Sequence, residues 1–240
     1  MNLVEQISIE KVKIAGSDVV LKELSRDIDK TNLLMVGEVH GVRENACFYY
    51  TLFVEFGFEI MALEYPVSFK EELEKFLITG IFPSHYSIEH ISDGRVNLEY
   101  LALLRNLRKD GLLKGLICFD SEVHTSVWNE RDLSYSEQFL NNYDSKLRTL
   151  VVAGNLHARK DVFTSALENG DQRLWPMGYH VKNRLGDFPV CKVVYHGGSF
   201  YNFGPKNFTG KRHISENYLV KASSMWYEMH LKEISSVTVW

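Results

Sequence analysis

Short runs of consecutive apolar residues alternate along this chain with longer stretches of helical periodicity. The runs lie near 32–37, 58–64, 115–120, 148–154 and 190–196 and are rich in Val, Ile and Leu. Unbroken apolar runs of that length suit strands buried on both faces. Between them the spacing predicts helices near 42–56, 67–78, 96–110, 130–142, 157–168 and 174–184. In 96–110, Leu98, Leu101, Leu104 and Leu107 recur at one-turn spacing, and Gly111 follows as a stop. Gly57 and Gly170 read as stops for two further helices. Strand–helix alternation of this kind predicts an α/β fold: a mostly parallel central sheet with helices on both faces.

The helix at 42–56 has almost no polar face, with Ala46, Cys47, Phe48, Tyr49, Tyr50, Leu52, Phe53, Val54 and Phe56. A helix apolar all round belongs under another layer. Residues 79–95 form a long connection of the kind used for lids or binding loops. The chain reads as one domain over 1–240, with a core at about 31–200 and a C-terminal extension at about 201–240. That extension, rich in aromatic residues, is expected to be irregular, with an added strand at Asn217–Lys221. It packs on the core, covers a pocket or meets a partner, and the pattern does not choose among these.

Composition narrows the picture. The 240 residues carry 27 Lys and Arg against 31 Asp and Glu, a net charge of −4 without a basic stripe. Nucleic-acid binding is therefore not expected. No apolar run approaches the length needed to span a bilayer, so no membrane association is expected either. Three widely spaced cysteines, Cys47, Cys118 and Cys191, sit in apolar stretches and read as reduced core residues. Together with the absence of a secretory pattern at Met1–Gln6, this predicts a cytoplasmic protein. Oligomeric state is not legible.

The chemistry concentrates where strands end. Gly37-Glu38-Val39-His40-Gly41 follows the first run, Leu63-Glu64-Tyr65-Pro66 the second and Gly154-Asn155-Leu156-His157-Ala158 the fourth. In a parallel sheet the carboxyl ends reach one rim, where ligands bind. Glu38, His40, Glu64 and His157 are thus expected to converge as catalytic residues. Two imidazoles and two carboxylates suit an activated water. They also suit a divalent metal, for which nitrogen and oxygen ligands admit zinc, manganese or cobalt. Glu64 has an ion pair with Arg43 as its structural alternative. Arg43, Asp120, His124, Arg131 and Asn155 are candidate substrate-binding residues, and Asp132 reads as an acid complementing a helix start. His85 and His90 lie in the long connection. No phosphate-binding loop, dinucleotide fingerprint, serine elbow or His-Glu-x-x-His helix is present.

At these residues the chain resembles the erythromycin-esterase-like and ChaN/Tiki-like superfamily. The likeness covers Gly37–Glu44, Phe56–Glu64, Arg131-Asp132, Val151–Ala158 and Met177-Gly178-Tyr179, collinear over about 31–200. The esterase branch implies a water-activating histidine at His40, aided by Glu38, Glu64 and His157. The Tiki branch implies a metal-dependent peptidase, and ChaN-like relatives bind haem iron. One residue separates Glu38 from His40, where the esterase motif has two, and the chain is shorter than those esterases. The resemblance therefore implies a compact hydrolase for a smaller ester, lactone, amide or peptide, in natural-product or peptide tailoring. A haem- or metal-binding protein without turnover is the alternative, and a non-catalytic scaffold using its aromatic tail is a third.

Overall fold

The structure is a computed structural model that describes residues 3–15, 18–81, 93–122, 127–167, 170–210 and 213–238. In chain order its strands are β1 (Leu33–Glu38), β2 (Ile60–Pro66), β3 (Gly115–Asp120), β4 (Thr149–Gly154), β5 (Phe163–Leu167), β6 (Gly170–Leu174), β7 (Val190–Tyr195), β8 (Gly198–Tyr201), β9 (Pro205–Phe208), β10 (Tyr218–Ser223) and β11 (Trp226–Leu231). The helices are α1 (Asp18–Thr31), α2 (Arg43–Phe56), α3 (Lys70–Thr79), α4 (Leu98–Lys109), α5 (Trp128–Asn142) and α6 (Met177–Leu185). Seven strands form the main sheet in the order β10-β11-β7-β1-β4-β2-β3. All pairings are parallel except that of the edge strand β10 with β11.

Side chains alternate across the sheet with period two, which sorts the core into two layers. From β1, Leu34 and Val36 enter the layer containing Phe48, Tyr49 and Phe53 of α2 and Leu101 and Leu104 of α4. Leu33 and Met35 enter the opposite layer with Tyr135 and Phe139 of α5 and Met177 and Val181 of α6. The apolar helix α2 is buried, with Phe48, Tyr49 and Phe53 fully covered. Each such side chain contributes roughly 1.5–3 kcal/mol relative to an exposed one. Gly57 and Gly111 take positive φ just past α2 and α4, as their spacing implies.

Two expectations fail locally. The helix expected over 157–168 does not form in the described residues 157–167: a turn through 155–158 leads to β5, which pairs with β6 in an antiparallel hairpin, and Gly170 opens a strand instead of closing a helix. Thr164 and Ser165 are weak helix formers, and the next helix cannot start before Pro176, which caps α6. The extension beyond 200 is not irregular. It supplies the hairpin β8–β9 and two further strands of the main sheet, with β11 parallel to β7 from Trp226↔Val190 to Leu231↔Tyr195.

The last described residues then run across the start of two helices. Ser235 donates from its backbone and hydroxyl to Glu44 at 2.8 and 2.6 Å, and Thr238 grips Glu99 likewise at 2.9 and 2.8 Å. Val237 N–H donates to Gly41 O at 3.1 Å, and Arg43 N–H to Ser235 O at 2.9 Å. This segment therefore pins the turn that follows β1. Among the described residues no helix is long and apolar enough to cross a membrane. All three cysteines are free, and burial pushes the Cys118 and Cys191 thiols up to about 12, so neither supplies a thiolate.

Candidate active site

Strand parity decides which helices meet each carboxylate. Glu38 continues the Leu34/Val36 face of β1 and so points at α2 and α4. There Asn45 Nδ2 donates to Glu38 Oε2 at 2.7 Å, and the Tyr49 and Tyr100 hydroxyls donate to the same oxygen. Burial, with the Glu38 charge beside them, pushes both phenols well above their usual range, so they remain donors. Tyr195 from β7 completes the cage, donating to Asn45 Oδ1 at 3.0 Å and accepting from Val39 N–H at 3.0 Å. Glu38 Oε1 is left for His40 Nδ1, 3.0 Å away. A carboxylate surrounded by donors acts only as acceptor, so Nδ1 carries the proton and Nε2 is the free nitrogen of neutral His40.

His40 sits on a turn that requires glycine next to it. Gly41 has φ +75°, and a Cβ there would lie 1.8 Å from Tyr201 O of β8. Burial lowers the His40 pKa, but the hydrogen bond His40 donates to Glu38 and the charge of Glu64 outweigh it, and the net shift is upward.

Glu64 emerges where β2 loses its regular register. Pairing with β4 ends at Leu63↔Val152, and pairing with β3 shifts between Leu63 and Pro66. The freed Glu64 Oε2 accepts the Gly154 N–H at 2.8 Å. Oε2 lies 3.7 Å from His40 Nε2, and Oε1 lies 3.7 Å from His157 Nε2 and 3.3 Å from Arg95 Nη1. Burial alone would raise the Glu64 pKa. The charges of His157, Arg95 and His40 and the Gly154 amide overcome this and hold it at about 2.

The second imidazole repeats the arrangement of the first. His157 Nδ1 is 2.9 Å from Asp132 Oδ1, which also accepts Met177 N–H at 2.7 Å. Asp132 is fully buried. Trp128 stacks on the ring with centroids 4.7 Å apart and planes 8° from parallel. Gly154 makes room for the convergence: a Cβ there would meet His157 Cδ2 at 3.3 Å, His40 Nε2 at 3.4 Å and Glu64 Oε2 at 3.6 Å.

The four strand-end residues thus come together, and the other candidates divide. Arg131 lies 3.5 Å from His157 Nε2 through Nη2. Asp120 reaches the cluster through Arg95, whose Nη1 it holds at 3.1 Å. Asn155 donates its backbone N–H to Glu38 O at 2.8 Å, while its side chain lies beside Gly37. Arg43 is about half exposed and lies 4.0 Å from Glu99, so the expected pair with Glu64 is made by Arg95 instead. His124, His85 and His90 lie outside the described residues. Arg95, Asn45, Tyr49, Tyr100 and Trp128 were not singled out from sequence as site residues. The Asn45–Tyr49 spacing of four, seven and eleven residues past Glu38, was the available signal.

A divalent cation fits this donor set poorly. Among the described residues no group of three or more His, Cys, Asp or Glu side chains is arranged to hold one. Glu38 is saturated by four donors, and the Arg95 guanidinium already offsets the charge of Glu64. Haem, which needs an open apolar space, fits no better beside the buried Glu64 carboxylate, 3.7 Å from both Nε2 atoms.

A mostly parallel α/β sheet whose carboxyl rim carries this buried His/Glu cluster has the erythromycin esterase fold. An erythromycin esterase solved in its open conformation superposes with a TM-score of 0.58 at 12% identity, covering 85% of this chain and 83% of that one. A succinoglycan biosynthesis protein matches with a TM-score of 0.69 at 11% identity over 98% and 96% of the two chains. A Bacillus cereus protein from a structural-genomics programme matches at 0.66 and 12% identity over 95% of each. No family model matches the sequence, and no curated protein matches it.

Proposed function

We propose that this chain is a hydrolase that activates water with His40 and cleaves an ester, lactone, amide or peptide bond in a small molecule or peptide. The observation that carries this reading is the pair of carboxylate-anchored imidazoles whose Nε2 atoms both lie 3.7 Å from Glu64. That separation exceeds a direct hydrogen bond and is spanned well by a water or a substrate oxygen. The fold shared with an erythromycin esterase supports the same reading at the level of architecture.

In the proposed sequence, water attacks the carbonyl carbon while His40 Nε2 takes its proton. Glu38 holds the ring by Nδ1, and the Glu64 carboxylate stabilises the imidazolium as it forms. The His40 imidazolium then returns that proton from Nε2 to the departing oxygen or nitrogen as the carbon–heteroatom bond breaks, with His157 held beside Glu64 by Asp132. The products are a carboxylic acid and an alcohol or amine. Arg95 supplies fixed positive charge against Glu64, 3.3 Å from Oε1.

The test is a panel of 4-nitrophenyl esters, lactones and chromogenic amides, assayed after exhaustive chelation. Turnover is expected to survive chelation and to fall by about 10²–10⁴ in His40→Ala, the range of a lost general base, with the unfolding midpoint retained. Full activity in a folded His40→Ala variant would remove His40 from the mechanism.

A further inference from the structure

Among the described residues, the two guanidinium groups at the cluster differ in their partners. Arg95 is held by Glu64, Asp93 and Asp120. Arg131, in the first turn of α5, has no carboxylate among its contacts with the described residues. Its guanidinium lies over the Trp128 ring at 4.6 Å and the Tyr135 ring at 5.9 Å, with Nη2 3.5 Å from His157 Nε2. Among the described residues, Arg131 Nε is buried without a hydrogen-bond partner, and so is Trp128 Nε1 on the side chain that Arg131 stacks against. Buried donors in native proteins are nearly always satisfied, so two orphans on stacked neighbours beside a candidate catalytic histidine call for an external acceptor.

We propose that Arg131 and Trp128 form a subsite for a substrate carboxylate, which makes the preferred substrates acyl compounds bearing a free carboxylate within a few bonds of the scissile carbonyl. This rests on the hydrolysis proposed above. Stacking on Trp128 pre-organises the guanidinium, and a planar fork matches a carboxylate. A singly charged group is favoured over a phosphate dianion because, among the described residues, a single guanidinium there lacks a carboxylate partner, with the carboxylates of Glu64 and Asp132 flanking His157. The closeness of Nη2 to His157 Nε2 sets the short distance between the recognised carboxylate and the reacting carbon.

Calorimetric titration of the full-length protein with glutarate, and separately with inorganic phosphate at matched ionic strength, tests this without turnover. Glutarate is expected to bind the wild type more tightly than phosphate does. Affinity should fall about tenfold or more in Arg131→Gln, the scale of a lost charge-assisted pair, with Arg131→Lys intermediate. In kinetics, the KM of the wild type should be lower for mono-4-nitrophenyl glutarate than for 4-nitrophenyl valerate, and Arg131→Gln should shrink that ratio. Absence of glutarate binding to the wild type, equal binding by Arg131→Gln, or a loss confined to kcat for both esters would overturn the subsite. Arg131-dependent glutarate binding without hydrolysis of any ester would instead sink the hydrolase reading and leave the subsite standing. If Arg131→Gln fails to fold, Arg131→Lys carries the comparison: glutarate affinity equal to that of the wild type overturns the fork, and a weakened affinity supports it.

Discussion

At the scale of single residues, the site is set by what each imidazole nitrogen faces. Glu38 and Asp132 fix the Nδ1 side of His40 and His157, which leaves both Nε2 atoms for chemistry. A base must be neutral, and the neighbouring carboxylates hold the His40 pKa above its ordinary 6.5 despite burial. The sign follows directly: kcat/KM on an ester probe is expected to rise with pH through a midpoint above 6.5 and then level. Glu38→Gln removes the main opposing influence on burial, so its acidic limb should move to lower pH. A wild-type midpoint at or below 6.5 would argue against His40 as the base. His40 and His157 were legible because each follows an apolar run at a glycine-bearing turn. Arg95 was not, because it follows a connection with no periodic pattern, and only folding places it against Glu64.

At the scale of elements, the cage around Glu38 depends on where helices begin. Asn97 caps α4, its side chain accepting Tyr100 N–H at 2.8 Å and donating to Gly94 O at 2.8 Å. The same first turn carries the Tyr100 hydroxyl to Glu38. Asn97→Ala should therefore destabilise the protein by about 0.5–2 kcal/mol, the usual value of such a cap, and weaken the support of His40 as well. Urea unfolding measures the first effect. The acidic limb of the pH profile measures the second, and an unchanged limb would separate the cap from the site. Helical periodicity located α4 and α2 to within two residues at each end. Short apolar segments such as 163–167 satisfy either period, and pairing with 170–174 decides in favour of a strand there instead of the expected helix.

At the scale of the whole molecule, the described residues between 200 and 238 include structural members of the sheet and of the site turn. Ser235 and Val237 hold Gly41 and the start of α2, while Thr238 holds the start of α4. Deleting residues 234–240 is expected to leave strand content largely intact by circular dichroism. It should also lower ester turnover and the unfolding midpoint together, because the His40 turn loses its clamp. Undiminished turnover in the truncated chain would show that β8 contacts alone suffice. The pattern of apolar runs determined the five central strands, their parallel sense and the presence of His and Glu at one rim, since burial on both faces and strand-end turns leave local marks. Which residues answer those side chains was decided only in three dimensions. Asp132 for His157, Arg95 for Glu64, the tyrosine cage of Glu38 and the clamp on Gly41 all join segments far apart in the chain, and such contacts are selected by packing across layers, for which a linear pattern carries no period.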